Sequence, residues 1–225
     1  MLPGLKSQAG FMAGEVPEIT YSGFAITHDT ATSSSHSVTL PSYNAGDMIL
    51  VMLSLTPSSG SVSISGFDAG YTLLFNASNP ASSNSYYVYY KIATGAEGGT
   101  FSFTTATPYV NTIGIVHVIE NCQGAAEASI YYYPGGSLHS PDPPLLTPSW
   151  GSAKNIWFVG TVAGYLSSLG PPSGFVGYQE TGPGGTPAEC CSAYQISEAA
   201  SLNPGAYSGQ VGAYGVDVTI ALRPL

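Results

Sequence analysis

From Met48 to Thr56 the chain is an apolar run broken by Ser54, flanked by Gly46-Asp47 and by Pro57-Ser58-Ser59-Gly60. A short apolar run between turn signals reads as a strand buried on both faces. Lys154-Asn155 stands where Gly46-Asp47 stood, and Ile156–Thr161 answers Met48–Leu53. Ala69–Thr72 is answered by Ser173–Val176, Tyr90–Ala93 by Tyr194–Ser197, and Ile113–Ile119 by Val216–Leu222, with spacing held to within five residues. Four matches in one order predict two β halves of similar layout.

Alternation of apolar and polar residues predicts the other strands. In the first half they are Glu18–Thr27, Ser33–Pro41, Val62–Ser65, Tyr71–Phe75, Tyr86–Ala93, Thr100–Thr105 and Thr112–Ile119. In the second half they are Asn155–Ala163, Gly174–Glu180, Glu189–Ile196, Ala206–Gln210 and Gly215–Arg223. No apolar period of 3.6 residues is sustained, and Glu198–Leu202 is expected to form at most one helical turn. Asn76–Ser85 and Thr181–Pro187 read as a polar loop and a turn. Cys122–Trp150, with Pro134, Pro141, Pro143 and Pro144, reads as an irregular linker, since prolines at that density exclude a central strand. The terminal strand is expected to be central and paired. The fold class expected is therefore all-β: a jelly-roll-like antiparallel β-sandwich of two similar halves, about 17–121 and 150–225, joined by linker 122–149.

Residues 1–16 have no period. They read either as a disordered terminus or, the preferred reading, as an extended N-terminal arm docked on a partner through Leu2, Pro3, Leu5, Phe11 and Met12.

Composition narrows the function. Only 8% of the 225 residues are charged, with 4 Lys plus Arg against 13 Asp plus Glu and a formal net charge of −9. Nucleic-acid binding needs clustered cations; Lys6, Lys91, Lys154 and Arg223 are scattered, so neither nucleic acid nor an anionic membrane is expected as a partner. The opening segment lacks the apolar core of a secretory signal, and no run is long enough to be a membrane span. The three cysteines, Cys122, Cys190 and Cys191, lack metal-ligand spacing. They read as buried small side chains, with a disulfide from Cys122 to one of the pair left open.

Catalytic motifs are missing from the sequence. There is no G-x-S-x-G or H-E-x-x-H, His28, His36, His117 and His139 stand in unrelated contexts, and no cofactor or metal is expected, with a loop-carboxylate calcium site left as a weak option. The 16 tyrosines are the residues to follow. Tyr87, Tyr89, Tyr131, Tyr132 and Tyr133 are the candidate surface contacts, for protein or for sugar rings, because an exposed phenol ring offers rigid amphipathic area.

The series AGDMILVMLS, AGYTLLF, YYVYYKIATGAEGG, IGIVHVI, AKNIWFVGTV and DVTIALRP resembles β-sandwich structural proteins of tailed bacteriophages, found in tail fibres, tail tips and head decorations. The resemblance covers about residues 18–224 and its motifs are architectural. It implies a non-enzymatic virion protein, made in the host cytoplasm without a signal peptide and attached to other virion proteins through its N-terminal arm. It also implies a homo-oligomer, with a trimer as the expected state. The alternatives are a glycan-binding host-recognition adhesin and, behind it, a polysaccharide-degrading enzyme.

Overall fold

The computed structural model describes residues 17–29, 33–57, 62–78, 84–107, 110–133, 138–163, 166–181, 189–212 and 214–225, with the backbone alone at 110 and 166–168. The expected docking arm with Leu2, Pro3, Leu5, Phe11 and Met12, and most of the Thr181–Pro187 turn, lie outside these residues.

The described residues are all-β. The strands are β1 Thr20–Asp29, β2 Ser35–Thr39, β3 Met48–Pro57, β4 Ile64–Phe67, β5 Thr72–Ser78, β6 Ser85–Ile92, β7 Thr100–Thr105 and β8 Val110–Glu120 in the first half. The second half has β9 Cys122–Tyr133, β10 Ala153–Ala163, β11 Leu166–Gly170, β12 Val176–Thr181, β13 Glu189–Ala199, β14 Ser208–Val211 and β15 Gly215–Pro224.

All strand pairs are antiparallel. One five-stranded sheet runs β1-β8-β3-β6-β5, and the other, read from its β9 edge, runs β9-β15-β10-β13-β12. The matched segments put β3 with β10, β5 with β12, β6 with β13 and β8 with β15, so the two sheets have one strand order. The register repeats too. Asn76, Tyr87, Leu53, Gly114 and Thr27 form one cross-strand row in the first sheet. Glu180, Cys191, Thr161, Asp217 and Tyr131 form the matching row in the second.

The two large sheets pack face to face. Met48, Leu50, Val88, Ile113, Ile115 and Ile119 on one side meet Ile156, Phe158, Val162, Val218, Ile220 and Leu222 on the other in a continuous core. β5 and β6 contact β9, while β3 and β8 contact β13. Each half therefore turns the corresponding face, that of Met48, Leu50 and Met52 on β3 and of Ile156, Phe158 and Val162 on β10, to the other within one chain. The outer face of the first sheet is covered by the sheet β2-β7-β4, through Ile49, Val51, Leu53, Tyr87, Tyr89, Phe101 and Phe103. The outer face of the second is covered by β11-β14 and by the segment 138–150, around Trp157, Val159, Leu146, Leu169 and Tyr207. β3 is buried at every position because it is central in a sheet covered on both faces, as its apolar run requires.

Several expectations need correction. The linker begins with a twelve-residue strand, β9, an edge strand of the second sheet that carries no proline; the prolines start beyond it. Glu198–Leu202 makes no helical turn: β13 continues to Ala199, and Leu202 bridges Leu146. The loop placed at Asn76–Ser85 begins later, since β5 runs to Ser78. As expected, in contrast, the terminal strand β15 is central and paired, between β10 and β9.

Candidate functional site

Tyr87 and Tyr89 are 4% and 1% exposed and Tyr133 is 2% exposed, so these three offer no contact surface. The physical reason is layering. Alternation on β6 turns its tyrosines to opposite faces, but both faces of that sheet are covered, so Tyr86, Tyr87 and Tyr89 are sealed and Tyr90, nearer the strand end, is half-buried. Tyr131 and Tyr132 are each 45% exposed on the β9 edge strand. The three cysteines are free and buried. Cys190 faces the core between the large sheets and Cys191 the outer core of the second half, as neighbours in a strand must.

Two places gather polar chemistry. The first is an open concavity of about 610 Å³ on the outer face of the β2-β7-β4 sheet. Ser35, Ser37 and Thr39 of β2 stand in register with Thr104, Ser102 and Thr100 of β7, all exposed. This makes a face of paired hydroxyls. Asp68 borders it, its carboxylate accepting the Ser102 N–H at 2.7 Å. At another border Asp29 meets His36 Nδ1 at 3.2 Å. Phe67, 44% exposed, lines the rim and packs on Tyr89 with ring centroids 4.7 Å apart.

Asp29, His36 and Thr105 line up as a nucleophile relay would, but the hydrogens do not allow that role. Thr105 Oγ1 already donates to the Thr107 carbonyl at 2.8 Å, sits 3.5 Å from His36 Nε2 and is buried. The His36 ring stacks on Phe103, so its visible job is packing and fastening β2.

The second place is the row Glu180, Cys191, Thr161 and Asp217, under the covering layer of the second half. Its counterparts in the first half are Asn76, Tyr87, Leu53 and Gly114, and the three central ones are a tyrosine, a leucine and a glycine. Thr161, Cys191 and Asp217 are 0% exposed. Asp217 Oδ2 accepts the Asp142 N–H at 2.9 Å, while Oδ1 and the Thr161 hydroxyl meet no partner at hydrogen-bond geometry among the described residues. Burial raises the Asp217 carboxyl to about 7, against the pull of the nearby Thr161 hydroxyl and the Asp142 N–H. The Tyr207 and Tyr178 hydroxyls lie beside the Cys191 sulfur without reaching hydrogen-bond geometry. Burial also pushes the Cys191 thiol well above its ordinary range, which keeps it a thiol and not a nucleophile.

A third polar group ties the halves together. His117 of β8 is fully buried between the large sheets, with Tyr21 Oη at 3.0 Å from Nδ1 and Ser192 Oγ of β13 at 3.0 Å from Nε2. Burial lowers its pKa to about 3, so the ring is neutral. Its counterpart is Ile220, and that of Ser192 is Val88, both within the same core.

The sequence missed that His36 and His139 stand in corresponding places: His36 pairs with Phe103 of β7, and His139 bridges Val211 of β14. The signal was present as their near-equal distance from the segments already matched. The polar row was not readable, because its members lie on four strands and register alone brings them together. Among the described residues no group of three or more His, Cys, Asp or Glu side chains is placed to hold a metal ion. No family model matches the chain, and neither does any curated protein or solved structure.

Proposed function

We propose that this chain is a non-enzymatic structural component of a bacteriophage particle, of the tail-fibre, tail-tip or capsid-decoration class. The observation that carries this reading is the construction of the body. Two β halves are fused face to face, and Glu189, Cys191 and Asp217 of the second half are fully buried, while the outer sheet presents neutral hydroxyls. Such a body is suited to rigid display. The strand order β1-β8-β3-β6 beside β2-β7-β4 supports reading the first half as a jelly roll. In this reading residues 1–16 attach the body to other virion proteins, with Leu2, Pro3, Leu5, Phe11 and Met12 as contacts, and the assembled form is a homo-oligomer, with a trimer as the expected state. The test is antibody-gold labelling of purified particles, with a chain lacking residues 1–14 as the partner experiment. Labelled particles, and a shortened chain that folds but fails to incorporate, are expected; unlabelled particles from a lysate rich in the protein would overturn the proposal.

The concavity on the β2-β7-β4 sheet favours a second reading, a glycan-binding adhesin. Paired hydroxyls, the Asp29 and Asp68 carboxylates and the half-exposed Phe67 ring supply the hydrogen bonds and apolar plane that a neutral sugar needs, and among the described residues no Lys or Arg lines the concavity. Titration with neutral oligosaccharides tests it: Phe67→Ala should weaken binding about ten-fold, and no binding by the unaltered chain removes this reading while leaving the first intact.

A further inference from the structure

The row Glu180, Cys191, Thr161 and Asp217 is unexplained by a display role, and the duplication supplies its own control. At the equivalent place the first half packs Gly114 so tightly under Val38 of β2 that an added Cβ would lie 2.4 Å from a valine methyl. Among the described residues the second half has no strand there. It has the proline-rich strap 138–150, held by a few bonds: His139 N to Val211 O at 3.1 Å and Val211 N to His139 O at 2.7 Å, Tyr207 N to Pro141 O at 2.8 Å, and Leu146 with Leu202 at 3.0 and 2.9 Å. Prolines carry no N–H, so across 141–144 (PDPP) the strap has one backbone donor, that of Asp142. That donor goes to Asp217 Oδ2 at 2.9 Å, and two residues along β15 the Thr219 hydroxyl donates to the Pro144 carbonyl at 2.6 Å.

We propose that Asp217 is a proton-operated latch for the strap 138–150, holding it down when protonated and loosening it when ionised. Protonated, Asp217 keeps an acceptor for the Asp142 N–H and gains a donor for the otherwise unmatched oxygens around it, the Thr161 hydroxyl among them. Ionised, it is a buried charge that no cation faces among the described residues. The groups around it are acids, phenols, a thiol and one imidazole: Glu189 and Cys191 on β13, Tyr131 and Tyr133 on β9, Glu180 and Tyr178 on β12, Tyr207, and Asp142 and His139 on the strap, with Tyr86 reaching through from the first sheet. Relief comes from water, and the layer between Asp217 and water is the strap. Its carboxyl sits near 7 when enclosed against an ordinary 3.8. The closed strap is therefore most stable below about 4, and its hold is lost progressively as pH rises toward 7, levelling off above.

Amide hydrogen exchange of the full chain, corrected for the intrinsic pH dependence of exchange, tests this. Between pH 5 and pH 8 the opening of the strap amides, Asp142 first, should rise by at least about ten-fold, while β6 amides serve as the unmoved reference. Asp217→Asn, which keeps the shape and the acceptor, should abolish that rise. Thr219→Val should loosen the strap equally at both pH values and leave the rise in place. Asp142→Asn removes a neighbouring negative charge and should move the midpoint to lower pH, which gives a readout even if Asp217→Asn does not fold. Strap opening that does not change with pH, or an equal rise in Asp217→Asn, overturns the proposal.

Discussion

His117 shows what one buried polar side chain does in an otherwise apolar seam. A neutral imidazole enclosed between sheets needs partners for both nitrogens, and Tyr21 and Ser192 supply them. The pseudo-symmetric pair, Ile220 with Val88, shows that the seam tolerates apolar residues at this place. His117→Ile should thus cost about 1–3 kcal/mol by stranding two hydroxyls, and adding Ser192→Val should recover much of that loss in a denaturant double-mutant cycle. The sign of the pH effect follows from a folded-state pKa of about 3 against 6.5. The stabilisation is complete above about 6.5 and is lost as pH falls toward 3, because the unfolded chain takes up the proton first. The double variant should lack that acid-side loss. Glu97 acts in the same direction at a turn. Burial alone would raise its pKa, but the Thr94 N–H and hydroxyl together with the Lys91 ammonium at 3.0 Å hold it down to about 2.

At the scale of strands, fusion lets the two halves differ where a true dimer would need them alike. Met52 of β3 and Gly160 of β10 are equivalent positions, and they meet. An added Cβ at Gly160 would lie 2.8 Å from Met52 Cε and 2.7 Å from the Tyr86 hydroxyl. A homodimer would have to set Met against Met or Gly against Gly at this spot; one chain sets a large residue against a small one. Gly160→Ala should then lower stability by about 1–3 kcal/mol through overpacking. Met52→Ala should cost less in that background than in the unaltered chain, as urea midpoints will show. The strand run at Met48 was legible because it is buried on both faces. β9 was not, because an edge strand rich in Ala and Tyr gives no clean alternation, and the prolines that follow it hide its end.

The whole molecule is held by one core shared between its halves, so the halves should unfold together. Both tryptophans, Trp150 and Trp157, lie in the second half, which makes the test direct. Denaturation followed by tryptophan fluorescence and by far-UV circular dichroism should give one midpoint; a separate fluorescence transition would mean independent halves. Two buried groups then oppose each other in the pH dependence of that midpoint. His117 favours the folded state toward neutral pH, while Asp217, raised to about 7, favours it toward acid. Asp217→Asn should therefore gain stability over the unaltered chain as pH rises from 4 to 7.

By itself the sequence determined the all-β class, the repeat of the central strands and their burial on both faces, because burial on two faces and turn chemistry are local patterns that a linear chain displays. It also determined the near absence of charge. Only the tertiary structure decided which tyrosines are sealed and which are exposed, since that depends on how many layers cover a sheet. Only the register across four strands brought Glu180, Cys191, Thr161 and Asp217 into one row, and only the docking of the strap turned Asp217 from a strand residue into a buried acid with a single backbone donor. These are relations between residues far apart in the chain, and no periodicity along it encodes them.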